Sequence, residues 1–213
     1  MEKYLKPVTR QCAKKISAQM DNYLYKVNQK GGNYEIGYFI QLKDKNSKSY
    51  LALVTSPNVL EDIDNNSLKI TIDDEPKSIE LGDTRHVDKK YKRAVIEIKD
   101  KSNIKYYFEI DENVYKSELE ISTNYYNESI YIIQYDNEDN ISVLYGIING
   151  LCGKQIKYSA NITSEIKDNI ILNLNNNKIL GLDINKSKKE KNGIFINDLI
   201  DRFSFKKIKN QLD

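Results

Sequence analysis

The sequence predicts an all-β protein with a helix near each end. Three observations carry that prediction. Short β-rich segments recur at intervals of about ten residues, bounded by Asn, Asp, Gly or Ser, as in an all-β barrel or sandwich. No strand–helix alternation appears, which disfavours a parallel α/β sheet. Val8, Cys12, Ala13, Ile16 and Met20 fall at helical spacing, and so do Leu199, Ile200, Phe203, Ile208 and Leu212 behind a capping residue, Asp198.

In chain order, Pro7 suits the first turn of the N-terminal helix. Tyr23 to Val27 alternates as a strand, and Lys30-Gly31-Gly32-Asn33 is a turn signal. Tyr34 to Leu42 reads as a strand in which Gly37 permits close backbone approach. A turn at residues 44–47 leads into Tyr50 to Thr55, which ends at Ser56-Pro57 because proline cannot donate to a ladder. Leu68 to Ile72, Ser78 to Leu81, Arg93 to Ile98 and Lys105 to Ile110 follow. Ser129 to Tyr135, Ile141 to Ile148, Lys154 to Ala160, Asn169 to Leu174, Lys178 to Asp183 and Gly193 to Ile196 complete the strands. No internal repeat or Pro/Gly/Ser-rich linker divides the chain; the softest joint lies in the polar stretch from Tyr115 to Ser129.

Composition narrows the function classes. The chain has 213 residues, 39% of them hydrophobic, with 33 basic and 31 acidic side chains and a net charge of +2. No apolar run approaches the roughly 18 residues of a membrane span, and the N-terminus lacks a secretory h-region, so an intracellular protein with no membrane association is expected. Cys12 and Cys152 are too few and too far apart for a disulfide framework and read as free thiols. Charges of both signs are interleaved, as on an ordinary solvated surface. The nearest basic runs are Lys186-Ser187-Lys188-Lys189-Glu190-Lys191 and Phe205-Lys206-Lys207-Ile208-Lys209, and Lys far outnumbers Arg, the better phosphate fork. Nucleic acid is therefore disfavoured as a partner.

Candidate chemistry is sparse. His86, the single histidine, stands in the polar stretch Asp83-Thr84-Arg85-His86-Val87-Asp88 and reads as solvent-exposed. Cys152 reads as an accessible loop thiol with only Lys154 nearby to lower its pKa. Ser164 precedes Lys167 by three residues, a weak serine–lysine arrangement in an acidic loop. Glu61-Asp62-Ile63-Asp64-Asn65-Asn66 and Asp73-Asp74-Glu75 lack the Gly and terminal Glu of an EF-hand and read as solvated acidic loops. One histidine and two distant cysteines exclude a conventional zinc cluster, and no Gly-rich phosphate loop is present. No metal or cofactor is expected. Tyr106-Tyr107, Tyr125-Tyr126, Tyr115, Tyr131 and Tyr135 divide between sheet residues and partner contacts.

Seven segments in order resemble a family of intracellular, trypsin-like serine proteases of microbes. Glu35-Ile36-Gly37-Tyr38-Phe39 stands where that family has GTGFF, and Leu51 to Leu60 (LALVTSPNVL) where it has a strand ending in NNHVL. Lys92 to Lys99 (KRAVIEIK) resembles DVTIIEIK, and Phe108 to Val114 (FEIDENV) resembles FLEIDENI. Ser129 to Tyr135 with Tyr145-Gly146-Ile147-Ile148, Asn169 to Leu182, and Lys191 to Ile196 complete the likeness, which covers about Ser17 to Phe203. It implies a double six-stranded antiparallel β-barrel: an N-terminal helical extension over residues 1–20, a first barrel over 21–120, and a second barrel with the C-terminal helix over 121–213.

The resemblance also implies where a catalytic triad would lie, and each position carries an unsuitable side chain. The histidine falls on Asn58, whose carboxamide has no lone pair that titrates near neutrality. The aspartate falls on Lys92, a cation that would repel an imidazolium. The serine falls on Lys167, with Glu165 and Asp168 replacing the glycines that shape an oxyanion hole; negative charge there opposes a developing oxyanion. The expectation is a catalytically inactive homologue, a pseudoprotease, that binds other proteins within a larger assembly. A hydrolase with a non-standard site and a nucleic-acid or ribonucleoprotein-associated protein are the alternatives.

Overall fold

A computed structural model describes residues 5–43, 49–136, 140–160, 166–184 and 191–209. Two compact units are present, and each holds one closed six-stranded antiparallel barrel.

The first barrel consists of β1 (Leu24–Asn28), β2 (Tyr34–Lys43), β3 (Ser49–Thr55), β4 (Ser67–Ile72), β5 (Glu75–Asp88) and β6 (Arg93–Ile98), closed in the order β1-β2-β3-β6-β5-β4. Alternate side chains point inward: Val27, Phe39, Leu53, Leu68, Ile70, Leu81 and Ile96 form the core, and Phe39 pairs with Leu53, which pairs with Ile96. β5 closes the barrel by changing partners along its length. Its first half pairs with β4 and its second half with β6, and the register slips between Leu81 and Arg85. The sequence pattern marks only Ser78 to Leu81 of this strand. The buried positions of the second half are polar (Thr84, His86 and Asp88), and on the core side Arg85 precedes Val87, so no apolar alternation reveals it. His86 is thus a buried strand residue opposite Val95, 8% exposed, and not the solvent-facing loop residue expected.

The second barrel consists of β7 (Ser129–Asp136), β8 (Ile141–Cys152), β9 (Gln155–Ala160), β10 (Ile166–Asn173), β11 (Ile179–Asp183) and β12 (Asn192–Phe195), in the order β10-β11-β12-β9-β8-β7. Ile130, Ile132, Ile148, Ile156, Ile171, Leu180 and Ile194 are buried in it. The stretch expected as a strand over Lys105 to Ile110 makes only isolated parallel bridges, Ile40 with Phe108 in one unit and Ile110 with Ile179 in the other.

Among the described residues, three α-helices accompany the barrels. α1 (Arg10–Asn22) is capped by Thr9, whose hydroxyl accepts from the Cys12 amide at 3.2 Å. It buries Ile16 and Gln19, not the wider apolar stripe that the sequence suggests; Val8 and Ala13 face solvent. α2 (Glu118–Tyr125) opens on a capping box: the Glu120 carboxylate accepts from the Ser117 amide and hydroxyl. α3 (Ile196–Lys209) begins two residues before its anticipated cap, so Asp198 lies in its first turn, where its charge suits the helix dipole and it pairs with Lys154 at 3.3 Å. Leu199, Ile200 and Phe203 are buried; Leu212 lies outside the described residues.

Both units are discontinuous in sequence: one joins Asp21–Glu109 with Leu199–Asp213, the other Met1–Met20 with Ile110–Asp198. A network centred on the β10–β11 turn accounts for the grouping of the N-terminal segment with the second barrel. The Gln19 carboxamide donates to the Asn177 carbonyl at 3.0 Å and accepts from the buried Tyr131 hydroxyl, and Cys12 donates to the Leu174 carbonyl. Lys6 adds an amide bond to the Ser129 hydroxyl and an ion pair with Glu128.

Candidate functional site

β3 ends on Thr55, whose buried hydroxyl donates to the Ile36 carbonyl at 2.9 Å. Ser56 then caps a 3-10 turn, Pro57–Asp62, accepting from the Asn58 amide at 3.3 Å, and Pro57 supplies the first helical position. Val59 is fully buried and pins the turn, which leaves Asn58 exposed. The Asn58 carboxamide donates to Glu35 at 3.1 Å. This is a neutral donor engaged by a carboxylate, with nothing that takes up a proton near neutrality.

Thr55 pairs with Ala94, so the chain just before β6 leaves the barrel at the same end as Asn58. Lys92 lies there, exposed, at φ +53°. It belongs to the β5–β6 turn, and Asp88 organises that turn by accepting from the Lys90 and Tyr91 amides at 2.9 and 3.0 Å. The Asp88 carboxylate thus supports the backbone of the turn that carries Lys92.

In the second unit, Lys167 and Asp168 belong to β10. Ile166 pairs with Asp136 and Asp168 with Tyr135, so Lys167 is the extra residue of a bulge. The loop expected here is a strand at these two residues. Ile170 is a buried ladder residue. Glu165 and Ser164 lie outside the described residues.

Comparison with known proteins bears on the fold. No protein-family description matches the sequence, and no curated protein is detectably similar to it. Among solved structures, that of Deg5 matches with a TM-score of 0.55 at 12% identity, covering 92% of this chain and 95% of that one. The apo protease domain of MamO from Magnetospirillum magneticum matches with a TM-score of 0.52 at 8% identity, covering 87% of this chain and 98% of that one. The fold is trypsin-like.

On this trypsin-like scaffold the remaining candidates are scattered. Cys152 is exposed at the end of β8, and nearby Lys154 is occupied by Asp198. Tyr125 and Tyr131 are buried, and burial raises both hydroxyl pKa values, helped at Tyr125 by the charge of Asp111. Tyr115 and Tyr126 are exposed. No cluster of three or more metal-ligating side chains occurs among the described residues, and none of their helices is long and apolar enough to cross a membrane. A pocket of about 290 Å³ in the first unit is lined by Asp21, Asp73, Asp74, Lys26, Lys105 and Tyr106 among others, and its charges are partly matched internally by the Lys105–Asp73 pair at 3.2 Å.

Two constellations are not evident from sequence reasoning. One is a buried carboxylate, Asp111, which accepts from the Asn113 amide and from the carboxamides of Asn173 and Asn176 at 3.0 and 2.9 Å. Its signal is the asparagine-rich stretch 173–177, whose asparagines are turn-formers. The other is the β5–β6 tip, Lys89-Lys90-Tyr91-Lys92-Arg93, whose basic character is hidden because the likeness of Lys92 to Lys99 to a strand motif divides it.

Proposed function

We propose that this chain is a trypsin-like scaffold without proteolytic chemistry, acting as a protein-binding component of a larger assembly. The observation that carries the first half is the Asn58 carboxamide at the mouth of the first barrel, held by Glu35 where a general base would be required. Lys92 and Lys167, with Glu165 and Asp168, extend the same reading to the other positions that the chemistry would need. The binding half is supported by α2 and the turn before it. Leu119 is 79% exposed, Tyr115 52% and Tyr126 51%, while Ile121 and Tyr125 face the core. Apolar groups on both sides of one short helix are what a contact surface needs, and the exposed Glu112, Glu118 and Glu120 around it favour a basic, apolar partner segment.

Purified protein should neither turn over peptide or ester substrates nor be labelled by a serine-reactive phosphonate, and Asn58→His alone should not change this. Saturable, probe-sensitive hydrolysis would overturn the inactive reading. Leu119→Glu should leave stability within about 0.5 kcal/mol of wild type by urea unfolding, as for an exposed site, while abolishing co-purification of the native partner. Retention of the same partner would remove α2 from the proposal.

A further inference from the structure

The tip of the β5–β6 hairpin carries four cationic side chains in five positions, Lys89, Lys90, Lys92 and Arg93, with no acidic residue among them. The fold fixes the backbone path of this cluster. Asp88, 2% exposed, holds the Lys90 and Tyr91 amides; Lys92 closes the turn at φ +53°; and Arg93 re-enters the ladder opposite Asp88. Lys89, Lys90 and Lys92 are exposed. The Lys90 ammonium lies 4.8 Å above the Tyr91 ring, and the Arg93 guanidinium donates to the Lys92 carbonyl at 3.2 Å. In the same unit Lys99 pairs with Glu80 and Lys105 with Asp73, whereas Lys89 and Lys92 have no side-chain partner among the described residues.

We propose that this tip binds single-stranded nucleic acid through its phosphates, without reading sequence. Like charges crowded on one turn repel one another, and a linear polyanion that reaches Lys89 and Lys92 relieves that repulsion. An aromatic ring set among cations is the usual companion of single-strand binding, because every base has a face to stack. An anionic membrane fits less well: one partly exposed tyrosine is the tip's whole apolar contribution, too little surface to insert. The two basic runs on which the sequence disfavours nucleic acid, 186–191 and 205–209, lie elsewhere. This inference needs only the hairpin and is independent of the proposed loss of catalysis.

The test is a fluorescence-anisotropy titration of the full chain with a mixed-sequence single strand of about 20 nucleotides, long enough for one site, at several salt concentrations. Wild type should bind, with affinity falling steeply from about 50 to 200 mM salt. Replacing Lys89, Lys90 and Lys92 with alanine should flatten the slope of log K against log salt by about 2, at roughly 0.7 per phosphate contact on single strands. A charge-matched control, Lys30→Ala, Lys69→Ala and Lys101→Ala together, should leave the slope nearly unchanged, and urea unfolding should show both variants folded. Tyr91→Ala should reduce the preference for single strands over duplex. The proposal is overturned by no wild-type binding at the lowest salt, by equal slope losses in both triple variants, or by binding to phosphatidylserine vesicles with none to the oligonucleotide.

Discussion

Gly181 of β11 has no room for a methyl group. A Cβ there would run into the Ile194 carbonyl on the neighbouring strand. Gly181→Ala should therefore cost roughly 2–3 kcal/mol, as for overpacking against backbone that cannot yield, and the urea midpoint should drop accordingly. Gly31 differs: nothing lies near it and its need is conformational, at φ +92° in the β1–β2 turn. Both glycines are visible in the sequence, but only the turn glycine announces its reason. A turn signal is local, whereas the Gly181 constraint comes from a strand thirteen residues away. Asn58 is legible in another sense. The proline two residues beyond Thr55 marks the strand end, so the position of the side chain is readable, while its bond to Glu35 depends on a partner 23 residues away.

Among the elements, the β10–β11 turn shows why a motif can be matched without its chemistry being understood. The FEIDENV segment resembles its counterpart, and within it Asp111 holds structure together. It caps the Glu112–Tyr115 turn and anchors two asparagines of the β10–β11 region. Asp111→Ala should leave three donors without their acceptor and cost about 3 kcal/mol, against about 1 kcal/mol for Asn176→Ala, which removes one neutral donor from Asp111 and an exposed acceptor from the Lys178 amide. Equilibrium urea unfolding of the two variants distinguishes these values, and equal losses would remove Asp111 from the centre of the network. Element types are largely readable, since Arg93 to Ile98 and most other strands follow apolar alternation. β5 is not: the buried Thr84, His86 and Asp88 break the pattern that alternation relies on. The segment Lys105 to Ile110 fails in the opposite sense. It has strand-like residues but meets its neighbours only at single bridges.

For the whole molecule, buried tyrosines set an alkaline limit. Tyr25 donates to the Tyr106 carbonyl, and burial pushes its hydroxyl from 10.0 up to about 12. Between these values the unfolded chain releases the proton while the folded one keeps it, so the stability that Tyr25 contributes is complete below about pH 10 and is lost as pH rises toward 12. Tyr125 and Tyr131 are shifted in the same direction. Urea midpoints should fall steeply above about pH 10, and those of Tyr25→Phe should fall less; parallel declines would show that Tyr25 is not a source of the effect. The grouping of residues into units also bears on how the protein is taken apart. The first twenty residues belong with the later barrel, and the stretch from Leu199 belongs with the earlier one. Cutting the gene at Glu109 would thus give each fragment the other's closing helix, and neither half would be a complete body. A faithful isolated second barrel needs its leading helix rejoined across a spliced junction, and during synthesis the Gln19 carboxamide must exchange water for its native partners only after Tyr131 and Asn177 have left the ribosome.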